Sequence, residues 1–139
     1  MLVRECLRTA PVTAPPGCTL EEAGQLLGSQ KVGSLLVVDG DRLVGIVTDR
    51  DIAVQGVGRG MPPSATVEAV MTADPVTIQG SDDVFAAIAV FKTASARRLP
   101  VLEDTDLAGM ISVDDLLLSL VVELGAVLSP VARELIHPA

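Results

Sequence analysis

The sequence predicts an α/β (α+β) protein made of two tandem copies of one β-α-β-β-α unit, packed as a single module with an approximate two-fold axis. Three observations predict it. Residues 11–53 lie over residues 75–117 without a gap, at a constant offset of 64, so that Pro11-Val12-Thr13 meets Pro75-Val76-Thr77, and Ala23, Leu35, Val37, Leu43, Gly45 and Asp51 meet Ala87, Leu99, Val101, Leu107, Gly109 and Asp115. Apolar positions that are not identical coincide as well: Leu20 with Val84, Leu27 with Phe91, Val38 with Leu102, Ile46 with Met110, Val47 with Ile111, and Ile52 with Leu116. Finally, the 139 residues are 49% hydrophobic and 20% charged, which excludes wholesale disorder and supplies a core.

Each element follows from local chemistry. Pro-Val-Thr opens each copy as a short extended piece, because the residue before a proline is pushed toward the β region. Thr19-Leu20-Glu21-Glu22 reads as a capping box opening a helix, with Leu20, Ala23 and Leu27 on its apolar face. In the second copy Ser81, Asp82 and Asp83 start the helix, and Val84, Ala87, Ile88 and Phe91 form its face; Phe85 and Phe91 are both expected in the core. Ser34–Val38 is a strand, Asp39-Gly40 a turn and Leu43–Val47 a second strand, repeated as Leu99–Leu102, Asp104-Thr105-Asp106 and Leu107–Ile111. A second helix then starts at Asp49 and at Val113. The Gly- and Pro-rich stretch Gly56–Ser64 marks the connection, and Val67–Met71 makes a short helical turn. The division is therefore residues 1–58 for the first copy, 59–66 for the linker, 67–124 for the second copy and 125–139 for a tail with a short helix near Val131–Ile136.

Charge and composition exclude several function classes. The net charge is −8, and it is uneven: residues 1–64 carry six Lys/Arg against seven Asp/Glu, residues 65–139 four against eleven. General attraction to a phosphate backbone is excluded, and with no Trp or Tyr, base stacking on aromatics has little to work with. Cys6, Cys18 and the single His137 do not make a zinc site, so the cysteines read as small, reduced residues of a cytoplasmic protein. No apolar run approaches the ~18 residues of a membrane span, and Met1–Ala10 does not read as a signal peptide; neither membrane nor nucleic acid is expected as a partner. No base–nucleophile pair suggests catalysis, so the protein is not expected to be an enzyme or to need a cofactor.

At the end of the second strand each copy carries Gly-apolar-apolar-(Thr/Ser)-x-x-Asp: Gly45-Ile46-Val47-Thr48-Asp49-Arg50-Asp51 and Gly109-Met110-Ile111-Ser112-Val113-Asp114-Asp115. With the Met71–Ile78 lead-in and the Leu99–Leu102 strand, the chain resembles the CBS-domain pair, two repeats named after cystathionine β-synthase, and most of all stand-alone bacterial members with a TDRDI segment. The resemblance covers nearly the whole chain. It implies that Asp51 and Asp115 hold the ribose of an adenine nucleotide (AMP, ADP, ATP or S-adenosylmethionine), with Thr48 and Ser112 assisting. It implies also that Val12 and Thr13, or Val76 and Thr77, line the base pocket with Ser34-Leu35 or Arg98-Leu99.

The residues themselves allow this chemistry and a plainer one. A carboxylate is an acceptor-only group suited to a ribose diol. Yet Ser/Thr-x-x-Asp is also close to a capping box, so the hydroxyls read equally as caps of their own helices. Arg97 and Arg98 read either as phosphate ligands or as cations paired with Glu103, Asp104 or Asp106; Arg50 is a further phosphate candidate. The first copy has Gly33-Ser34 where the second has Arg97-Arg98, so the two sites should be unequal. Gly45 and Gly109 read as strand glycines required by close packing.

The run Leu116–Leu124 is apolar on nearly every side, and with Ile52 and Val54 it exceeds what one buried face consumes. A homodimer that covers helix faces from both copies is the expected consequence. A regulated protein, unidentified, is a further expected partner. An alternative function is a dimerisation or protein-interaction module whose nucleotide site is vestigial.

Overall fold

A computed structural model describes residues 1–8 and 10–136; His137 lies outside them. In the first copy, β1 (Thr13–Ala14) runs parallel to β2 (Ser34–Asp39), which turns through Gly40 at φ +65° into antiparallel β3 (Arg42–Thr48). Between β1 and β2 lies α1 (Leu20–Gln30). The Thr19 hydroxyl accepts the Glu22 amide at 3.1 Å and donates to Glu22 Oε1 at 3.1 Å, which fixes the start of the helix. Leu20, Ala23 and Leu27 are the buried face of α1 and pack with Leu35, Val37 and Val47 in the first core.

The second copy repeats this at the same offset. β5 (Ile78–Gln79) lies parallel to β6 (Arg98–Glu103), which pairs antiparallel with β7 (Asp106–Ser112); α3 (Val84–Ala94) starts at Asp83, whose carboxylate accepts the Phe85 amide at 2.9 Å. The register repeats too. Ala14 pairs with Val37 and Ile78 with Val101, and each hairpin carries a bulge, after Val37 and after Val101. The second core is Ile78, Val84, Ala87, Leu99, Val101 and Ile111.

The copies exchange their lead-in segments. Val3 and Cys6 are buried in the second core, while their counterparts Val67 and Val70 are buried in the first. Leu20 N–H donates to Ala65 O at 2.8 Å and Val84 N–H to Met1 O at 3.0 Å; Val67 N–H donates to Cys18 O and Val3 N–H to Asp82 O, both at 2.8 Å. The first amides of α1 and α3, left without an intrahelical acceptor, are thus satisfied by the other copy's lead-in. β4 (Thr72–Ala73) extends the exchange by pairing with Gly45 and Ile46 of β3, giving sheets of four strands (β1-β2-β3-β4) and three (β5-β6-β7). A Cβ on Gly45 would overlap the Met71 sulfur and reach 3.0 Å from Thr72 O; one on Gly109 would lie 3.1 Å from Leu7. The glycines are there because the other copy's lead-in crosses them.

Four expectations need correction. Phe85 is 71% exposed rather than core, because the buried face of α3 runs through Val84 and Ala87 and Phe85 falls a third of a turn away; Phe91 is half-buried against the second core. The helix at Asp49 is regular for one turn only, α2 (Asp49–Asp51), then widens into a π-turn (Ile52–Gly56) and ends in a 3₁₀ turn (Val57–Arg59). The tail is not a separate short helix: α4 runs unbroken from Val113 to Ile136 and includes Pro130. By length and composition α4 is also apolar enough to cross a membrane. Counting only unbroken apolar residues misses this, since Asp114, Ser119 and Glu123 interrupt the run without making the helix polar on average.

Candidate functional site

Two clefts open where the copies meet, and they are counterparts. The larger, about 550 Å³, holds Thr48 and Asp51 of the first copy against Val76, Arg97 and Arg98 of the second. The smaller, about 280 Å³, holds Ser112 and Asp115 of the second copy against Val12 and Ser34 of the first. The offset of 64 carries one lining into the other: Pro11 to Pro75, Val12 to Val76, Lys31 to Ser95, Gly33 to Arg97, Ser34 to Arg98, Ile46 to Met110, Thr48 to Ser112 and Asp51 to Asp115. Each cleft therefore combines the strand-end motif of one copy with the lead-in of the other.

The motif geometry is the same in both. Asp51 N–H donates to the Thr48 hydroxyl at 3.1 Å while Thr48 N–H donates to Asp51 Oδ2 at 2.9 Å; Asp115 and Ser112 do the same at 3.0 and 3.2 Å. These are reciprocal capping boxes. The hydroxyls are caps, and each aspartate spends one carboxylate oxygen holding its own turn. Oδ1 of each has no protein donor among the described residues, and both side chains are half-buried. An acceptor-only oxygen held at a fixed position is suited to a hydroxyl or an N–H of a small polar ligand. The cap is anchored in turn: Asp49 N–H donates to Gly33 O and Val113 N–H to Arg97 O, both at 3.0 Å.

The cations are unpaired. Arg97 and Arg98 are exposed, and neither meets a carboxylate within 4 Å among the described residues. The anticipated partner Glu103 is occupied elsewhere, accepting Nε and Nη2 of Arg4 at 3.0 Å each. Arg98 borders both clefts, whereas Arg97 and Arg50 border the larger alone. Lys31 borders the smaller. It went unnoticed in the sequence, although it follows α1 as Ser95 follows α3, both at positive φ (55° and 51°). The smaller cleft is thus also cationic, although the first copy has Gly33-Ser34 where the second has Arg97-Arg98.

Not every candidate reaches a cleft. Leu35 is fully buried in the first core, and Thr13 is exposed on β1 beside neither cleft. Thr77 faces a separate hollow with Arg42 and Asp104. Leu99, although buried in the second core, does line the larger cleft. Ser34 is buried at the boundary of the two, its hydroxyl 3.9 Å from the Met110 sulfur. Among the described residues, no group of His, Cys, Asp and Glu is arranged to hold a metal.

A tandem, two-fold α/β module with a cleft on either side of its axis defines the class of protein. The sequence pattern of the CBS domain matches residues 3–55 and 67–122, and the chain belongs to the CBS-domain family as a tandem pair. It is 30% identical over 114 residues to the CBS domain-containing protein YhcV of Bacillus subtilis, covering 82% of this chain and 81% of that one. A putative signal-transduction protein with CBS domains from Burkholderia ambifaria superposes with a TM-score of 0.78 at 32% identity, over 88% of this chain and 95% of that one. The CBS-domain pair of protein MJ0100, in complex with 5′-methylthioadenosine and S-adenosyl-L-methionine, superposes with a TM-score of 0.77 at 25% identity, over 88% and 98%.

Proposed function

We propose that this CBS pair is a regulatory module, not an enzyme, that binds an adenine nucleotide or S-adenosylmethionine in one or both clefts and signals by a change of shape. One observation carries the reading: the same lining recurs in two clefts, each with an aspartate oxygen left free opposite the other copy's lead-in. That oxygen takes the ribose diol, Val12 or Val76 flanks the base, and Arg98 with Arg97, Arg50 or Lys31 meets phosphate or another anionic group. The adenosine compounds bound to the related pair of MJ0100 support the ligand class. Because a ligand in either cleft touches both copies, binding biases their relative placement, which a partner protein can read. Self-association through α4 completes the reading: the working unit is a homodimer.

Calorimetric titration with AMP, ADP, ATP, S-adenosylmethionine and adenosine tests this. Saturable binding of at least one, with a thermal transition raised in proportion (~2.7 kcal/mol at a hundred times its Kd), supports it. If none binds, the reading fails. The second reading, an interaction module with vestigial nucleotide sites, has its own observation: reciprocal capping accounts for both Ser/Thr-x-x-Asp motifs with no ligand at all.

A further inference from the structure

α4 begins on the module and leaves it. Leu116 is buried in the second core, Ser119 is buried with its hydroxyl accepting Arg8 Nη2 at 3.4 Å, and Leu120 is half-buried; from Val121 onward every described side chain is exposed. Leu117, exposed as well, and then Val121, Leu124, Leu128, Val131 and Leu135 follow one another by steps of four, three, four, three and four residues. All are about half exposed or more. Such spacing lines up one apolar stripe along a helix and is the 3.5-residue period of a coiled-coil seam. Glu123, Ser129 and Arg133 lie off the stripe. The first copy has no counterpart, since its second helix ends at Arg59. The shorter second helix of the first copy offers Val54 and Val57 as its exposed apolar residues, a smaller face than that of α4.

We propose that α4 pairs through this stripe with α4 of a second copy of the chain, antiparallel, across a two-fold axis near Ala126. This rests on the homodimer reading above and gives it a seam. The stripe is its own complement: read in either direction it is Leu-Val-Leu-Leu-Val-Leu with the same steps. Antiparallel pairing sets Leu117 beside the second copy's Leu135, Val121 beside Val131 and Leu124 beside Leu128, the isologous arrangement of a two-fold dimer. It also brings the second copy's helix end to an apolar groove of about 370 Å³ between α3 and α4, lined by Ile88, Phe91, Leu117 and Leu120, which parallel pairing would leave open. With Leu118, Val122 and Val127 at its margins, the exposed apolar surface of α4 is on the order of the ~800 Å² a side of a standard interface. A bilayer fits the stripe less well. Glu123 would sit at depth, and with Arg133 as its one described cation the helix lacks the basic face of an interfacial anchor.

Light scattering after size exclusion tests the seam on the full chain. The expected mass is about twice the 14.4 kDa of one chain. The double variant Leu124→Glu, Leu128→Glu should fall to a single-chain mass while keeping the module's thermal transition, and Ser129→Glu, off the stripe, should stay dimeric. Leu117→Cys mixed with Leu135→Cys should cross-link under mild oxidation, and neither alone should. A single-chain mass for the unaltered protein overturns both the seam and the homodimer. A dimer that survives the double glutamate variant overturns the seam alone, and self-cross-linking of Leu135→Cys overturns the antiparallel order. Flotation of the unaltered chain with phosphatidylcholine–phosphatidylglycerol vesicles as a monomer assigns the stripe to a bilayer instead.

Discussion

The two roles assigned to Asp51 and Asp115, helix cap and ligand acceptor, can be separated by substituting asparagine rather than alanine. Asp51 Oδ2 accepts Thr48 N–H at 2.9 Å, a bond that an asparagine carbonyl oxygen can keep. The free Oδ1 position would then carry an amide NH₂, a donor where the ligand hydroxyl needs an acceptor. Alanine removes both. Loss of the capping interaction costs ~1 kcal/mol of stability, and for Asp51 it falls on a turn that is already irregular by Ile52. A hydrogen bond to a charged group contributes ~1.5–3 kcal/mol, so losing it weakens binding roughly tenfold to a hundredfold. Asp51→Asn should therefore unfold near the parent midpoint yet bind an adenine nucleotide in the larger cleft at least tenfold more weakly. Asp51→Ala should lose both. Paired urea melts and calorimetric titrations read the two quantities separately, and the Asp115 variants repeat the test in the smaller cleft. If Asp51→Asn and Asp115→Asn combined leave affinity unchanged, the carboxylates are caps and nothing more.

The remaining predictions follow from single contacts. Arg98 borders both clefts, so Arg98→Ala should weaken ATP at both while leaving adenosine nearly unaffected, more so at low salt; Arg97→Ala should act on the larger alone. Equal loss for adenosine and ATP would contradict this. Gly45→Ala drives a methyl group into Met71 and the Thr72 carbonyl and should cost ~1–3 kcal/mol in a urea melt, whereas Gly28→Ala in α1, with nothing within 4 Å, should gain up to ~1 kcal/mol. Burial first, and Glu22 second, raise the Cys18 thiol above its ordinary pKa. The proton is therefore held more tightly in the folded chain than in the unfolded one, and this contribution to stability is present below the unfolded pKa and lost as pH rises through the folded one. Iodoacetamide at pH 8 should label Cys18 slowly until denaturant is added; equally fast labelling of folded and unfolded chain would refute the burial.

The elements were legible in the sequence because each is set locally. Thr19 and Asp83 cap, Gly40 turns, and the apolar positions recur at one offset, so strands and first helices fall where the pattern puts them. Phe85 misled because hydrophobicity marks what would gain from burial, while the face of α3 is chosen by Val84 and Ala87 together. The length of α4 was hidden because the second copy was ended at Leu124, before Gly125, although the helix continues through both Gly125 and Pro130.

The clefts were legible only by half. Both strand-end motifs carry a sequence signal, since Thr48/Asp51 and Ser112/Asp115 sit at one offset. What they face is decided by the exchange of lead-ins, a relation between residues distant in the chain that leaves no local trace beyond two glycines. A Cβ at Gly45 or Gly109 would press on Met71 or Leu7, residues that are themselves one repeat apart. The pair of glycines thus records, in each copy, the crossing that carries the other copy's lead-in across its last strand. From that crossing the rest follows: Val76 meets Asp51, Val12 meets Asp115, and Arg98, beside Ser34 where the clefts adjoin, serves both. The inequality of the sites is then one of neighbours rather than of presence, Arg50 and Arg97 on one side against Lys31 on the other, with Arg98 held in common.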